Sequence, residues 1–389
     1  MSFIPMDLGL SYPTIKQTDC CNALQFAPAA GTELLSYSLN IANRTSSGNR
    51  LYFRNLANDF ETKAKTVRDF IKGISGRVHV TFEQGTQAAW LYDLIKPLAA
   101  EVVVCNPQHN KLVCGAGNKS DRIDANKLAM LLRQGGLKAV YQGEASTRSL
   151  KEHVSNYEAL VADSVRVMNR IKGLFRARAI PTVGSSVYQP SQRTGWLNQL
   201  KDSAVRMRAE SLYRQMDCLK DLRKEARTAM LAEARKHKAS RILRRVPSLG
   251  PVLVAQIIGT VATPHRFRTK RQFWAYCGLA VVTRSSADYE FANGRLRKKA
   301  RAASTRGLNR NYSRRLKSVF KSAALIGMQY DPFQKVYAAL IAKGMRPELA
   351  RLTLARKIAA VTLSLWKREE KFDPKRLLQK VPTARRKRN

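Results

Sequence analysis

The stretch Asn118–Leu132, NKSDRIDANKLAMLL, together with Val78–Thr86, VHVTFEQGT, decides the fold expected for this chain. In the first stretch, Asp121 and Asp124 open an apolar-periodic run three residues apart, so a helix places both carboxylates on one face. In the second, Glu83 ends a β-branched run that predicts a buried strand. Carboxylates from a strand end and a helix start predict an acidic pocket that holds divalent metal over a phosphodiester.

The chain is strongly basic, with 70 lysines and arginines against 28 aspartates and glutamates, and its formal net charge is +42. Such charge repels itself unless a polyanion is bound, which indicates nucleic acid as the partner. The alternative is a ribosome-associated or merely well-solvated basic protein. A hydrophobic fraction of 44% is ordinary for globular proteins and excludes a purely disordered basic chain.

The six cysteines include no CxxC pair. A zinc site could involve Cys105, His109 and Cys114, which are close in sequence, but a fourth ligand is missing. Buried free thiols in a reducing compartment explain these cysteines better than a zinc site does. The N-terminus has no basic segment followed by an apolar one, and no run of about 18 apolar residues occurs. We therefore expect a cytoplasmic protein without membrane contact.

Residues 1–145 are predicted to form an α/β domain. Short apolar runs at residues 36–41, 51–56, 78–82 and 102–105 alternate with helical patterns around 62–74 and 87–98. The first two runs flank a turn-rich loop and predict a hairpin. A hairpin followed by strands that alternate with helices predicts a mixed sheet covered by helices.

Residues 146–240 are predicted to form a coiled-coil helical hairpin. Apolar residues follow a 4-3 spacing from Leu150 to Phe175 and again, less regularly, from Val205 to Met230. The Ser- and Gly-containing stretch Pro181–Pro190 separates the two seams. Spacing alone leaves open whether these helices pack on each other, belong to one bundle or meet a second copy of the chain.

Residues 241–375 are predicted to form a third, mostly helical domain, and residues 376–389 a basic tail. The turn Val246–Pro251 precedes an apolar helix and resembles a helix-hairpin-helix turn, which offers backbone N–H groups to phosphate. No acidic residue occurs from Phe291 to Tyr330, and a one-signed run of this length predicts nucleic-acid binding. The predicted nucleic-acid contacts are Arg295, Arg297, Lys298, Lys299, Arg301, Arg306, Arg310, Arg314 and Arg315.

Together, these motifs resemble the DEDD-type insertion-sequence transposases, the family that includes the pilin-gene invertase. Glu83, Gly85 and Leu91 are similar to its second acidic motif, and Ser120–Ala125, SDRIDA, is similar to its third and fourth acids. In the C-terminal half, the similar residues are Val246–Val252, Phe267, Gln272, Trp274, Tyr276, Gly278, Leu279, Ser285 and Ser286. The resemblance covers roughly residues 35–370.

The resemblance implies a RuvC-like (RNase H-like) N-terminal domain, a coiled-coil linker and a C-terminal domain with a nucleophilic serine. It further implies a transposase that recombines double-stranded target and donor DNA through a covalent protein–DNA link. Mg²⁺ would occupy the acidic pocket, and a structured guide RNA encoded in the element would pair with both DNAs. A recombinase that cuts four strands is expected to be a dimer or tetramer, here at the nucleoid of a bacterial cell.

By register with the Gly278-Leu279 motif, the resemblance implies Ser286 as the nucleophile, with Ser285 as the alternative. A serine hydroxyl needs a base or a metal to become a good nucleophile, and the acidic pocket would supply the metal. Two other functions stay open. One is a RuvC-like endonuclease that hydrolyses DNA with water, and the other is a catalytically decayed copy that only binds nucleic acid.

The resemblance implies four metal-binding and catalytic acids, of which Glu83, Asp121 and Asp124 are three. The family places the first aspartate in strand one, immediately before the hairpin, but residues 27–32 contain none. Asp7, which follows apolar residues and precedes a glycine by two positions, is the predicted first acid. Other acidic residues near the N-terminus, Asp19 and Glu33, are poorer candidates.

Overall fold

Two units make up the chain, Met1–Gln142 and Gly143–Asn389. In a computed structural model, the described residues are 21–28, 34–44, 51–61, 63–74, 76–106, 121–284, 289–292, 295–298 and 304–378. Of these, residues 21–61, 121–126, 145, 283–306, 376 and 378 are described by their backbone alone. The second unit contains both the predicted helical hairpin and the predicted C-terminal domain.

The first unit is built on a mixed five-stranded sheet. Its strands are β1 Cys21–Pro28, β2 Leu34–Arg44, β3 Leu51–Glu61, β4 Arg77–Glu83 and β5 Glu101–Cys105. They lie in the order β3-β2-β1-β4-β5. β2 is antiparallel to β1 and β3, whereas β4 is parallel to β1 and β5. The predicted hairpin is confirmed as β2 and β3, and the mixed sheet agrees with the RNase H-like fold that the resemblance implies.

The helices that pack on this sheet are α1 Ala64–Lys72, α2 Ala88–Ile95 and α3 Asp121–Arg133. Val80 and Phe82 of β4 are buried in the core that this strand shares with α1 and α2. Cys105 of β5 is buried in a different cluster, with Leu128 and Leu132 of α3. Because side chains alternate between the faces of a strand, the two clusters lie on opposite faces of the sheet. Helices therefore cover both faces, which is the α/β architecture predicted from the sequence.

The helical hairpin of the second unit consists of α4 Ala145–Arg176 and α6 Ser203–Arg235, with the short α5 Arg193–Asn198 between them. α4 and α6 pack against each other. Near the closed end, Phe175 meets Trp196 edge-on, with ring centroids 5.4 Å apart. Asp202 caps α6, since its carboxylate accepts hydrogen bonds from the backbone N–H groups of Ala204 and Val205. Of the packing alternatives that the spacing left open, the structure shows self-packing.

The rest of the second unit is mostly helical, as predicted, but also contains two small sheets that were not predicted. Its helices are α7 Lys238–Leu243, α8 Pro251–Val261, α9 Lys270–Tyr276, α10 Arg314–Gly327, α11 Phe333–Ala342, α12 Pro347–Arg368 and α13 Pro374–Leu378. Its strands are β6 Val281–Arg284, β7 Tyr289–Ala292, β8 Arg295–Lys298 and β9 Ser304–Leu308. β6 pairs with β9 and β7 pairs with β8, both antiparallel. Strands this short lack the alternation that predicts a strand from sequence.

One hydrophobic core joins the base of the hairpin to these helices. Leu150 and Met230 of the hairpin are fully buried together with Ile257 of α8, Phe320 of α10 and Ile358 of α12. Burial of apolar surface is the main favourable term in folding, so this shared core holds the hairpin on the C-terminal helices. Within the part of the chain that the structure describes, no helix is long and apolar enough to cross a membrane.

Candidate functional site

Glu83 lies at the carboxyl end of β4, at the edge of the sheet where the parallel strands β1, β4 and β5 all end. Its register partner on β5 is Cys105, and Gln84 donates its backbone N–H to the Cys105 carbonyl at 2.9 Å. The Glu83 side chain is half-buried. Because register partners share a face of a sheet, Glu83 lies on the face that α3 covers.

α3 begins with Asp121 and carries Asp124 in its first turn. Leu128 and Leu132 follow Asp124 by one and two turns on the same helical stripe, and both are buried in the cluster that contains Cys105. The two aspartates therefore stand at the start of the stripe that packs on the Glu83 face of the sheet. Their side chains lie outside the described residues, so their role stays a prediction.

β1, the parallel neighbour of β4, has the sequence CNALQFAP and carries no acidic residue. The parallel register of the two strands runs as far as Phe26 opposite Phe82, one residue before Glu83. The strand in which the resemblance expects an aspartate therefore has none. The predicted first acid, Asp7, and the alternatives Asp19 and Glu33 lie outside the described residues, and the role of Asp7 stays a prediction.

The predicted donor set fits a hard divalent cation. Glu83, Asp121 and Asp124 would supply carboxylate oxygens, which are the ligands that Mg²⁺ prefers. Among the described side chains, which do not include those of the two aspartates, no group of three or more His, Cys, Asp or Glu is placed to hold a metal. Cys105 is buried, as predicted, and the other two residues considered as zinc ligands, His109 and Cys114, lie outside the described residues.

The predicted nucleophile follows β6 in the second unit. β6 ends at Arg284, whose register partner on β9 is Ser304. Ser286 and its alternative Ser285 come next in sequence and lie outside the described residues. Because β6 is paired with β9 as far as Arg284, the position of the residue just before the serine pair is fixed.

The two residues just before β6 form hydrogen bonds with three other segments. The Leu279 N–H donates to the Trp274 carbonyl at 2.8 Å, which closes the end of α9. The Leu279 carbonyl accepts from Nε of Arg356 on α12 at 2.6 Å. The Ala280 carbonyl accepts from the Asn309 N–H, just after β9, at 3.0 Å. The segment that leads to Ser286 is therefore tied to α9, α12 and the end of β9.

Gly278 sits where the loop before α10 passes the end of α9. Its φ is +66°, and a Cβ added there would lie 2.6 Å from Cγ and Cδ2 of Tyr312. The Lys317 ammonium lies 4.2 Å from the centroid of the Tyr312 ring, and the Ser313 N–H donates to the Tyr276 carbonyl at 2.9 Å. Glycine alone fits such a close approach without strain. Gly278 is visible in the sequence as part of a family-like motif, but its contact with Tyr312 is not, because no sequence spacing links the two residues.

The basic residues predicted to contact phosphate lie on several elements. Arg295, Arg297 and Lys298 are on β8, Arg306 is on β9, Arg310 and Arg314 are exposed around the start of α10, and Lys299 and Arg301 lie outside the described residues. Arg314 lines an open cavity of about 370 Å³ together with Tyr312, Lys317 and Lys321. Several cations around one aromatic ring are the arrangement expected of a surface that holds a nucleic-acid backbone.

Arg315 differs from Arg314 because protein groups already bind it. Its Nε lies 2.7 Å from Oε2 of Glu158 on α4, and its Nη2 donates to the Ser155 hydroxyl at 3.2 Å. The Gln256 amide of α8 donates to the other Glu158 oxygen at 2.8 Å. This network joins α4, α8 and α10. Since Glu158 offsets the charge of Arg315, the predicted phosphate contact has weaker electrostatic support here than at Arg314.

The predicted turn Val246–Pro251 does connect two helices, α7 and α8. Val246, Ser248 and Leu249 are buried, whereas Gly250, at the N-cap of α8, is exposed. The N-terminus of α8 therefore starts at the surface, with Pro251, which has no N–H, as its first residue. A helix N-terminus favours an anion.

Two regions of the chain match families of known proteins. Residues 38–178 match a family model described as a transposase, of the DEDD type named after IS110. Residues 240–304 match the model described as the transposase of the IS116/IS110/IS902 family. No curated protein matches the chain. The first region contains Glu83, Asp121 and Asp124, and the second contains Ser286 and β8.

Proposed function

Since this chain belongs to the IS110/IS116/IS902 family of transposases, we propose that it moves its insertion sequence through a covalent link between DNA and Ser286. Transposition of DNA follows from the family. The finer statements are our proposal: the serine chemistry, the use of Mg²⁺, the guide RNA and the oligomer. The observation that carries the proposal is the position of Ser286, two residues beyond a strand held by three neighbouring segments.

The serine step conserves the phosphodiester. The Ser286 hydroxyl oxygen attacks the phosphorus, a serine–phosphate ester forms, and the bond from phosphorus to the sugar oxygen breaks. The hydroxyl proton passes to a base or solvent, and the leaving sugar oxygen takes up a proton. The reverse attack, by the sugar hydroxyl of a different strand, releases Ser286 and joins the new strands, so no external energy source is needed.

Glu83, Asp121 and Asp124, with Asp7 as the proposed fourth acid, would hold Mg²⁺. When bound, this ion offsets charge on the phosphate oxygens and stabilises the attacking and leaving oxygens. Without it, the carboxylates repel phosphate, so they do not serve as a DNA-binding surface by themselves. In this assignment, the strand end supplies Glu83 and the start of α3 supplies the two aspartates.

The basic residues from Arg295 to Arg315 are proposed to hold the nucleic-acid backbones. Recombination engages target and donor duplexes, and an element-encoded guide RNA is proposed to pair with both. A dimer or tetramer would supply enough serines for the strands that are cut. The high positive charge supports this assignment, because a chain at +42 is expected to gather polyanions. The nucleoid is its proposed location.

The first experiment traps the covalent intermediate. Purified protein, the RNA that flanks its gene and labelled target and donor DNA are mixed with Mg²⁺, denatured and separated on a gel. A protease-sensitive shifted band is expected for the unaltered chain and for Ser285→Ala, and not for Ser286→Ala. If Ser286→Ala keeps the band and Ser285→Ala loses it, the assignment of the nucleophile is wrong.

The same gel separates the two alternative functions. A hydrolytic RuvC-like endonuclease would release free cleaved DNA with both serine variants. A decayed copy that only binds nucleic acid would give no product at all, and the absence of an acid from β1 favours this second candidate.

Variants of the acids and of the basic residues test the division of roles. Asp121→Asn and Asp124→Asn should abolish the covalent product and leave DNA binding largely intact. Replacing Arg297, Lys298 and Lys299 together should weaken binding and reduce its salt dependence by about one unit of slope per lost phosphate contact. If the two phenotypes are exchanged, the roles are assigned to the wrong residues.

A further inference from the structure

A cavity of about 430 Å³ lies between α9 and the C-terminal half of α12, and the segment that follows α12 closes one side of it. Its lining carries more basic than acidic side chains: Lys270, Arg356, Lys357, Arg368 and Lys371 against Glu370 and Asp373. This volume is that of a small-ligand site. None of these residues belongs to the predicted carboxylate site, to the serine pair or to the predicted basic contacts.

Two aromatic side chains line the cavity, Trp274 and Phe372, and both are half-buried. The Trp274 indole N–H donates to the Arg356 carbonyl at 2.9 Å, which fixes the plane of the ring, and the Lys270 ammonium lies 5.7 Å from the ring centroid. The Phe372 ring packs on Phe333, with centroids 5.9 Å apart. Aromatic rings that are fixed but still accessible are surfaces on which a nucleobase stacks.

Arg356 brings a cation to the cavity without a carboxylate partner among the described residues. Its Nε donates to the Leu279 carbonyl, while its Nη2 is buried and has no hydrogen-bond partner in the described part of the chain. Burial lowers the pKa of this guanidinium, because the charged form has lost water. A desolvated cation with an unused donor is unfavourable unless an anion meets it. Because Arg356 lines the cavity, an anion bound there would offset part of the cost of burying this charge, through space and without a direct contact to the buried Nη2.

The side chains of Arg368 and Lys371 are exposed, and neither side chain makes a hydrogen bond or ion pair with the described residues. They add positive charge where an anionic ligand would enter. The C-terminal tail of the chain is itself basic, with Arg385-Arg386-Lys387-Arg388, so charge repulsion disfavours it as the occupant.

We propose that this cavity binds one unpaired nucleotide of a single-stranded nucleic acid. Its base stacks on Trp274 or Phe372, its phosphate is held by Arg368 and Lys371, and the charge of Arg356 attracts that phosphate from the cavity wall. A duplex does not fit, because its base faces are covered by their neighbours. The proposal relies on the proposed function only in taking nucleic acid as the partner, and DNA and RNA are alternative sources of the same nucleotide chemistry.

The affinity test uses the full chain and fluorescein-labelled hexamers of thymidylate and uridylate, measured by anisotropy. Arg368→Glu with Lys371→Glu is expected to weaken binding about tenfold relative to a matched control. The control is Arg223→Glu with Lys224→Glu, an exposed basic pair on α6 that changes the net charge equally. Equal loss of affinity in both variants would overturn the proposal, since only the overall charge would then matter.

A second readout locates the base. Hexamers that carry 5-iodouracil, in DNA and in RNA form, are irradiated with the protein, and the linked peptides are identified by mass spectrometry. Links to Trp274 or Phe372 are expected, and Trp274→Leu should shift them to Phe372 or remove them. Links confined to residues 289–325 would place the strand on the basic run instead and would refute the cavity site. The form that links more strongly identifies DNA or RNA as the source.

Competition and a serine variant complete the test. Uridine monophosphate should displace the hexamer at concentrations where inorganic phosphate does not, and equal displacement by both would refute the stacking part. Hexamer binding should persist in Ser286→Ala. Failure of the covalent chemistry is therefore distinguishable from failure of this proposal.

Discussion

Replacing Gly278 by alanine is expected to be among the most costly single changes in the second unit. The residue has φ +66°, and the new Cβ would lie 2.6 Å from Cγ and Cδ2 of Tyr312. A left-handed conformation costs an L-residue about 1–2 kcal/mol. Overpacking a filled contact adds about 1–3 kcal/mol. The backbone cost and the packing cost arise at the same residue and sum to about 2–5 kcal/mol. The Tyr312 ring does not move aside to relieve the packing cost, because its neighbours hold it.

The measurement is the thermal unfolding midpoint of the purified chain, followed by circular dichroism and by calorimetry. A loss of about 3 kcal/mol should lower the midpoint of a unit of this size by about 6–12 °C. Gly307→Ala is the matched control, because its φ is +85° but no atom of the described residues lies within 4 Å of the added Cβ. It should show the backbone cost alone.

The difference between the two glycine variants isolates the steric term. Tyr312→Ala in the Gly278→Ala background should recover part of the loss, since it removes the atoms that the new Cβ meets. If Gly278→Ala and Gly307→Ala lower the midpoint equally, the close approach to Tyr312 contributes nothing and the reasoning fails. Because Gly278 precedes β6, Gly278→Ala should also reduce the yield of covalent product, whereas Gly307→Ala should change it less.

Three other changes test particular contacts. Glu158→Ala should destabilise the second unit by about 2 kcal/mol, because the half-buried Arg315 loses the carboxylate that compensates its charge. Glu158→Gln should cost less, and thermal unfolding measures both variants. Hydrogen bonds from Arg193 hold the pKa of Asp217 below its usual range. The stability that this ion pair contributes is therefore present above about pH 4 and is lost as the pH falls further. Asp217→Asn should flatten the fall of the unfolding midpoint between about pH 5 and pH 2. Burial raises the pKa of the Cys277 thiol, so iodoacetamide at pH 8 should label the exposed Cys218 and spare Cys277. Mass spectrometry of the peptides measures the labelling, and equal labelling of the two cysteines would show that Cys277 is not buried.

Much of the fold follows from local patterns. The β-branched run that ends at Glu83 forms β4, the apolar periodicity after Asp121 forms α3, and the 4-3 spacing from Leu150 forms α4. These predictions succeed because strand and helix periods are properties of short segments. The small sheets around the serine pair were missed because strands of four or five residues carry too little pattern.

The candidate site divides in the same way. The residue types of the acids, the serine and the basic run are visible in the sequence, and so is the absence of an aspartate before the hairpin. The parallel register of β1 and β4 is not visible in the sequence, and it is this register that places the end of β1, at Phe26, opposite Phe82, one residue before Glu83. Strand register depends on pairing between segments distant in the chain, so no local pattern encodes it.

By itself, the sequence determined that the chain is a basic nucleic-acid partner with acidic, helical and serine-bearing segments in a family-specific order. Only the tertiary structure decided that Tyr312 closes over Gly278, that Glu158 binds Arg315 and that Trp274 and Arg356 share one cavity. Each of these pairs joins residues far apart in the chain. Composition and periodicity act along the backbone, whereas steric fit and ion pairing act through space and exist only once the core has brought the segments together.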